Sequence, residues 1–269
     1  MRKNKFYYRT KTILLSSYVF RLRKCRSYLL EINDPHVFGT GRNMEVHIDG
    51  MLVESMNQND HVNNLKETFD ILRWFRMILN PFKCVFGVEA GKFLCYLVSQ
   101  RGLEIYPEYI KVILEMPTPS STKDIQRLTG KLAAISRFLS RSADRSASFF
   151  KTPKGKNIFH SEKDCDQAFE QLKQHLSSPC LLAKPIEGET IFLYVHPSTY
   201  AVNEAFVWKD GAWEEPVYFI SIVLAPAETH YSLVEKIVLA VVVASVKLKP
   251  YFKAHNITVL TSFPLRASL

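Results

Sequence analysis

The chain has 269 residues, of which 47% are hydrophobic and 23% are charged, and this balance excludes a disordered or a collagen-like protein. Its length favours two modest domains over one. The longest mostly apolar run, residues 237–246, is too short to span a bilayer, so no membrane association is expected. Five scattered cysteines form no CxxC pair, which argues against a disulfide scaffold or a zinc site and favours a reducing compartment.

The first 30 residues form a basic arm that contains nine Lys or Arg residues and no acidic residue. This arm carries the whole net charge of +9, because the remaining 26 basic residues equal the 26 acidic ones. Such an arm would suit nucleic-acid phosphates, an organelle-targeting peptide or a solvated terminus, and these alternatives stay open. The localisation is therefore unknown beyond an expected intracellular one, in the cytoplasm or nucleus.

A strand-turn-strand pattern, VHIDGMLV, follows the arm, with Asp49-Gly50 at the predicted turn. Next comes an amphipathic helix ended by Asn80-Pro81. Short strands are predicted at residues 84–88 and 92–98. The predicted apolar face of the helix consists of Val62, Leu65, Phe69, Leu72 and Leu79.

The middle of the chain predicts two further helices. Ser121 and Asp124 indicate the start of the first, and residues 141–156 are basic and Ser-rich, as is typical of a connector. The second helix is predicted to end near Ser178-Pro179. Their apolar faces are Ile125, Leu128, Leu132, Ile135 and Leu139 in the first, and Cys165, Phe169, Leu172 and Leu176 in the second.

The last ninety residues predict three strands, a helix and a fourth strand, which is an α/β arrangement. The strands are expected at residues 191–195, 205–208 and 217–222, with Asp210-Gly211 turning between the second and third. Ser232 and Glu235 match a capping box, so a helix is predicted over the run that ends at Lys247, Lys249 and Pro250. Residues 257–260 are expected to form a buried strand.

Four segments, in this order, resemble the pol polyprotein of gypsy-type long-terminal-repeat retrotransposons, plant ones in particular. They are GRNMEVHIDGMLVES, LNPFKCVFGVEAGKFLCYLVSQRGLEIYPE, PTPSSTKDIQRLTGKLAAISRFLSRSADR and PVYFIS…AETHYSLVEK…KLKPYFKAHNITVLT. The similarity runs from about residue 33 to the C-terminus and leaves the arm outside.

The resemblance implies a fold of mixed α+β and α/β class in three parts after the arm at residues 1–30. Residues 31–106 correspond to the C-terminal part of a reverse transcriptase palm, a hairpin plus a helix. Residues 107–157 correspond to thumb and connection helices. Residues 158–269 correspond to a truncated RNase H-like domain of three antiparallel strands, a helix and a parallel strand. The implied family activities are RNA-directed DNA synthesis and RNase H cleavage.

Both activities use two Mg²⁺ ions about 4 Å apart, held chiefly by Asp and Glu oxygens. The family's palm hairpin reads Tyr-x-Asp-Asp, and here those four positions are His47, Ile48, Asp49 and Gly50. One carboxylate remains and the second is a glycine. Since Asp49 alone cannot hold two metal ions, we expect it to be a vestigial catalytic residue.

The RNase H-like part departs from its family in the same way. The first family Asp, in a pattern like LYVDAS, corresponds to His196, the helix Glu to Ile237, and the carboxylate after the last strand to Ser262. Glu235, close to the second position, is better explained as a helix cap. We expect no metal site and no cofactor in this chain, although the intact family uses Mg²⁺, and we expect it not to be an active enzyme.

Nucleic acid is the partner that the resemblance implies, as an RNA or DNA template-primer. Lys123, Arg127 and Lys131 share one helix face and would contact its backbone, although a merely solvated face explains them as well. Cys95 stands where the family has the Gly of an FLGY stretch, so it would either obstruct the primer or simply pack. Alternative hypotheses are a non-catalytic module that binds nucleic acid or protein, within a larger polyprotein or with a protein partner, and a relic without function.

Overall fold

The computed structural model describes residues 17–18, 44–47, 50–55, 58–145, 162–178 and 180–263. The chain divides into two compact units, Met1–Gly102 and Leu103–Leu269. The predicted boundaries after residues 30, 106 and 157 stay predictions. Of the basic arm, only a short strand β1 (Ser17–Tyr18) belongs to the described residues. Within the described part, no helix combines the length and apolar character needed to cross a bilayer.

The first unit contains the predicted hairpin and helix. Strands β2 (Met44–His47) and β3 (Gly50–Val53) pair antiparallel, β1 pairs with β3, and helix α1 (Gln58–Trp74) follows. Because side chains alternate along a strand, β3 serves two apolar clusters. Met51 and Val53 pack with Leu72 of α1, whereas Leu52 packs with Phe93. Val62, predicted on the apolar face of α1, is instead 57% exposed.

Helix α1 ends earlier than predicted, at Trp74 instead of Asn80. Arg76 adopts a left-handed conformation with φ of 53°, its N–H donates to the Arg73 carbonyl at 3.0 Å, and the Met77 N–H donates to the Leu72 carbonyl at 2.9 Å. This pattern is a Schellman motif, and the accompanying apolar contact joins Met77 to Leu72. The prediction was wrong because the left-handed residue is an arginine, not the usual glycine.

Two short strands form a second hairpin in the first unit, β4 (Ala90–Phe93) and β5 (Tyr96–Ser99). The single strand predicted at residues 92–98 is therefore interrupted by a turn at Leu94, which has a φ of 58°, and Cys95. Residues 84–88 form no extended strand, since only position 85 makes a bridge. Asn80 caps a 3₁₀ turn, Pro81–Lys83, by accepting from the Phe82 N–H at 3.0 Å.

Helices open the second unit after strand β6 (Gly102–Ile105), which begins at the boundary between the units. They are α2 (Pro107–Leu114), α3 (Thr122–Ala134), a 3₁₀ turn (Ser136–Phe138) and α4 (Glu162–Ser177). Ser121 caps α3 as predicted, because its hydroxyl accepts from the Asp124 N–H. The predicted faces of α3 and α4 are buried at Leu128, Leu132, Phe169, Leu172 and Leu176.

The predicted strand-helix-strand order of the last ninety residues is confirmed. Strands β7 (Thr190–Pro197), β8 (Ala201–Asp210) and β9 (Trp213–Val223) are antiparallel, and β10 (Asn256–Leu260) pairs parallel with β7, which gives the order β10-β7-β8-β9. Helix α5 (Leu233–Lys247) and the short α6 (Lys249–Ala254) connect β9 to β10. The molecule therefore has a mixed α/β fold.

Helix α5 covers one face of this sheet, which we call the core face. Ile191, Leu193 and Phe206 of the sheet pack there against Ile237 and Ala240 of α5. Strand β10 was predicted to be buried, but it lies at the edge of the sheet and its residues are half-buried or exposed. An apolar strand sequence alone does not distinguish a central strand from an edge strand.

Candidate functional site

The hairpin of β2 and β3 positions His47 and Gly50 opposite each other, at the ends of the two strands. Ile48 and Asp49, between them, lie outside the described residues, so the vestigial role of Asp49 stays a prediction. Gly50 occupies a strand position beside the buried residues Met51 and Leu52.

A polar cluster that the sequence did not predict connects the end of β3 to α1. The Ser55 hydroxyl lies 2.9 Å from Nδ1 of His61, and the Asn64 amide donates to the same hydroxyl at 2.8 Å. His61 is buried, and its Nε2 has no hydrogen-bond partner among the described residues. Burial lowers the pKa of His61, so the neutral imidazole is favoured. This arrangement is suited to fixing the helix to the hairpin.

The three positions predicted to have lost the family's RNase H carboxylates lie in different environments. His196 is exposed on β7, and alternation places it on the face opposite Leu193 and Val195. Ile237 is completely buried in the core between α5 and the sheet, and Ser262 is exposed after β10. The structure therefore does not bring His196 and Ile237 to one face of the sheet.

Glu235 serves as the helix cap that the sequence predicts. Its carboxylate accepts from the Ser232 N–H at 2.7 Å, and the Ser232 hydroxyl accepts from the Glu235 N–H at 3.3 Å. The hydrogen bond from the Ser232 backbone N–H, followed by the interaction with the Ser232 side chain, lowers the pKa of the Glu235 carboxyl. Since the carboxylate satisfies the helix terminus, it is not available as a catalytic ligand.

Asp144, in the segment predicted as a connector, is the centre of a hydrogen-bond network on the sheet face opposite α5. Its two oxygens accept from the Ser198 hydroxyl at 2.8 Å and from the Asn203 amide at 2.7 Å. The Ser221 hydroxyl donates to the Asn203 carbonyl oxygen at 2.6 Å and accepts from the Ala143 N–H at 2.8 Å. Both Asp144 oxygens are thus engaged, and residues 143–144 are attached to strands β8 and β9 and to the turn between β7 and β8.

Lys236 occupies the buried face of α5 beside Ile237. Its side chain is 6% exposed, and its Nζ donates to the Ser198 carbonyl at 3.5 Å. The environment next to the degenerate Glu position thus contains a buried cation. A cation there opposes the binding of a second positive ion.

The residues present do not fit the Mg²⁺ ions that the resemblance implies. His196, Ile237 and Ser262 supply no carboxylate oxygen, and Mg²⁺ requires hard oxygen ligands. Across the described ranges, no group of three or more His, Cys, Asp or Glu side chains is placed to hold a metal ion. No catalytic step through a metal can be derived for these positions.

The predicted basic face lies on α3, where Lys123, Arg127 and Lys131 follow one another at four-residue spacing. Lys123 is exposed, and Arg127 pairs with Asp124 at 3.6 Å on the solvent-facing side. The Lys131 ammonium lies 5.7 Å from the ring centroid of Tyr109, whose hydroxyl donates to the Lys131 carbonyl. Two of the three cations are therefore accessible to a ligand, and the third packs on α2.

The opposite side of α3 borders a cavity of about 170 Å³. Leu128 and Leu132 of α3 line it together with Ala143 and with Ser221 of β9. The Ser221 hydroxyl is already used in the Asp144 network, so this mainly apolar cavity offers no free reactive group among these residues.

The strand order of the second unit, with α5 on the core face, agrees with a family of known domains. Residues 162–259 match the RNase H-like domain found in reverse transcriptase. The second unit thus contains this RNase H-like domain, whose predicted strand order the structure has already confirmed.

Similarity to known polyproteins extends beyond the RNase H-like domain. The chain is 27% identical over 233 residues to the retrovirus-related Pol polyprotein from transposon opus of Drosophila melanogaster, which covers 82% of this chain and 23% of that protein. It is 25% identical over 213 residues to the Tf2-7 polyprotein of Schizosaccharomyces pombe, covering 79% of this chain and 16% of that protein. The chain thus spans less than a quarter of either relative.

Solved structures share the fold at low sequence identity. A foamy viral protease-reverse transcriptase in complex with double-stranded DNA has a TM-score of 0.73 at 14% identity, covering 97% of this chain and 52% of that chain. The foamy viral protease-reverse transcriptase in complex with an RNA/DNA hybrid has a TM-score of 0.70 at 14% identity. This match covers 94% of this chain and 39% of that chain. At this identity the similarity establishes the fold alone.

Proposed function

We propose that this chain is part of a gypsy-type, plant-like retrotransposon Pol polyprotein in which reverse transcriptase segments precede the RNase H-like domain. In this proposal residues 31–106 are the C-terminal part of the palm, residues 107–157 the thumb and connection, and residues 158–269 the RNase H-like domain. The similarity to the opus Pol polyprotein over 82% of the chain supports it, together with the ordered motifs.

The proposed activity is nucleic-acid binding without DNA synthesis or RNA cleavage. The observation that carries this proposal is the set of residues at the expected carboxylate positions of the RNase H-like domain, namely His196, Ile237 and Ser262. Because two-metal chemistry needs carboxylates to hold both ions, their replacement removes catalysis while leaving the surface for a ligand. Asp49 remains a vestigial residue in this proposal.

The proposed ligand is a nucleic-acid duplex that contacts the exposed face of α3. Lys123 and Arg127 present their cations to solvent there, and cations at four-residue spacing follow a phosphate backbone. The structural relatives were solved with double-stranded DNA or an RNA/DNA hybrid, which supports a duplex as the ligand. The basic arm would add affinity independent of nucleotide sequence. Such a role places the chain in the cytoplasm or nucleus.

Binding of a fluorescent RNA/DNA hybrid at about 50 and 200 mM salt tests this proposal. We expect binding that weakens steeply with salt, and a weaker salt dependence in the double variant Lys123→Gln with Arg127→Gln. The matched control is Lys249→Gln with Lys253→Gln, which removes the same charge from exposed positions on α6. Equal losses in both double variants would contradict a specific role for α3. Absence of binding by a folded sample would instead favour a relic.

Primer extension and RNase H cleavage with Mg²⁺, run on the same samples, test the absence of catalysis. We expect no extended or cleaved product. Extension that disappears in an Asp49→Ala variant would overturn the proposal, because it would show that the remaining palm carboxylate still takes part in chemistry.

A further inference from the structure

A carboxyl group lies inside the core of the RNase H-like domain. Glu204 of β8 is 3% exposed, and neither of its oxygens has a hydrogen-bond partner among the described residues. Its strand neighbours on the same face, Val202 and Phe206, belong to the core that packs against α5. An uncompensated buried charge is among the most costly features of a folded protein, so this group requires an explanation.

The surroundings of Glu204 favour its neutral form. Its cross-strand partners are Val195 on β7 and Ile220 on β9, both apolar and buried. Burial raises the pKa of the Glu204 carboxyl to about 8, and the positive charge of Lys247 partly opposes this increase. At neutral pH the carboxylic acid is therefore mainly protonated.

Few other titratable groups face this layer. Strand β7 presents only apolar side chains to it, Ile191, Leu193 and Val195. Among the described residues, the charged or titratable side chains from the other elements that pack here or border this layer are Lys236 and Lys247 of α5, Tyr251 and the adjoining His255, Tyr218 of β9, and Arg137, which packs on Tyr218. None of them hydrogen-bonds either Glu204 oxygen.

We propose that Glu204 makes the packing of α5 on the sheet depend on a proton. The neutral carboxylic acid is compatible with the closed apolar core. When the acid loses its proton to solvent, the carboxylate that remains requires water, which reaches it only if α5 moves away from the sheet. Helix α5 is thus held on the sheet while the acid is neutral, and its displacement becomes easier once the carboxyl ionises.

The sign of the effect follows from proton binding. The carboxyl has an ordinary pKa of 4.5 in the unfolded chain and about 8 in the folded chain, so between these values the folded state binds more protons. The folding equilibrium constant therefore falls by about tenfold for each pH unit between about 4.5 and 8, and then levels off.

Urea unfolding of the full chain from pH 5 to pH 9.5, compared with Glu204→Gln, tests the proposal. Glutamine has nearly the same shape and cannot ionise, so we expect the ratio of the two folding constants to change by about tenfold per pH unit up to about pH 8. Glu215→Gln, an exposed position on β9, is the matched control and should parallel the wild type. Parallel profiles for wild type and Glu204→Gln would overturn the proposal.

A measurement on the unmodified chain keeps the proposal testable if Glu204→Gln fails to fold. Carbon-13 NMR of the glutamate carboxyl groups should show one group that titrates near pH 8. Hydrogen exchange of the α5 amides, corrected for intrinsic rates, should accelerate across the same pH range. In Lys247→Gln the titration should move to higher pH, because a favourable charge is lost. The absence of any glutamate carboxyl that titrates near pH 8 would refute the proposal.

Discussion

The two units of this chain differ in how much core supports their surfaces. Among the described residues, the buried cluster that packs against α5 in the RNase H-like domain contains twelve residues, whereas the cluster between β3 and α1 in the first unit contains five. Large apolar side chains are exposed in both units, for example Trp74 at 79% in the first and Trp213 at 77% in the second, so the two units differ in their described cores and not in this respect. Because burial of apolar surface is the main favourable term in folding, the second unit should be much the more stable.

This difference shows that packing and chemistry vary separately. The RNase H-like domain has the predicted strand order and capping box and a buried core, whereas we predict that His196, Ile237 and Ser262 stand where the family has carboxylates. Ile237 contributes to the core, being completely buried. In this prediction, an apolar residue at that position avoids the repulsion between neighbouring carboxylates that a metal ion would otherwise neutralise.

The largest effect is expected from Phe206→Ala in the core of the second unit. Phe206 is completely buried and lies 6.4 Å from Tyr251 and 6.0 Å from Phe252, measured between ring centroids. Its truncation leaves a cavity and should lower the free energy of unfolding by about 4 kcal/mol. Denaturant unfolding followed by circular dichroism measures this change. Trp213→Ala, at a residue 77% exposed, should change it by less than about 0.5 kcal/mol.

Much of this core was predictable because local signals agree with the tertiary contacts. The alternating strands, the turn at Asp210-Gly211 and the capping box at Ser232 are all set by residues close in sequence. The helix α2 was missed, although Pro107 at its first turn and the buried pair Ile110 and Ile113 are a signal that could have found it.

The Asp144 network could not have been predicted in the same way. Its partners are separated by 54 to 78 positions, and the local sequence around Asp144 is typical of a connector. Glu204 is an intermediate case. The alternation Val202-x-Glu204-x-Phe206 places a carboxyl on the apolar face, but no local signal shows that the strand is covered by a helix.

Met51→Ala makes the corresponding change in the first unit and tests whether its smaller core is sufficient. Met51 of β3 is completely buried against α1, so its truncation should lower the free energy of unfolding by about 3 kcal/mol. Since this cluster is small, we expect the hairpin and α1 to lose protection in hydrogen exchange while β7 and β8 keep theirs. Trp74→Ala, at an exposed residue of the same unit, is the control. Equal protection in both units would contradict the comparison.

Asp144→Ala should lower the free energy of unfolding of the second unit by a smaller amount, about 2 kcal/mol. The variant leaves the amide of Asn203, a 5% exposed residue, without its acceptor, and an unsatisfied buried donor is costly. Arg141→Ala is the matched control, because it removes only the partner of Asp144 in an exposed ion pair and should cost less than about 1 kcal/mol. Thermal unfolding of both variants measures the difference, and equal costs would show that the network contributes no more than a surface ion pair.

The smallest effect is expected from Ser232→Ala at the start of α5, which should lower the free energy of unfolding by about 1 kcal/mol. The substitution removes the hydroxyl that accepts from the Glu235 N–H.

The Ser232→Ala substitution should also change how the stability of the chain responds to acid. The pKa of the Glu235 carboxyl is lowered in the folded chain. The stabilisation that the carboxylate gives to the folded chain is therefore complete above its ordinary pKa of 4.5 and is lost as the pH falls through the lowered pKa. Much of this lowering comes from the Ser232 backbone N–H, which alanine retains, so the acid-sensitive loss should become smaller but not disappear. Urea unfolding at pH 3 to 7 separates the pH-independent loss of the cap from the loss that depends on ionisation of Glu235. An unchanged dependence of stability on pH would mean that the Ser232 hydroxyl does not stabilise the Glu235 carboxylate.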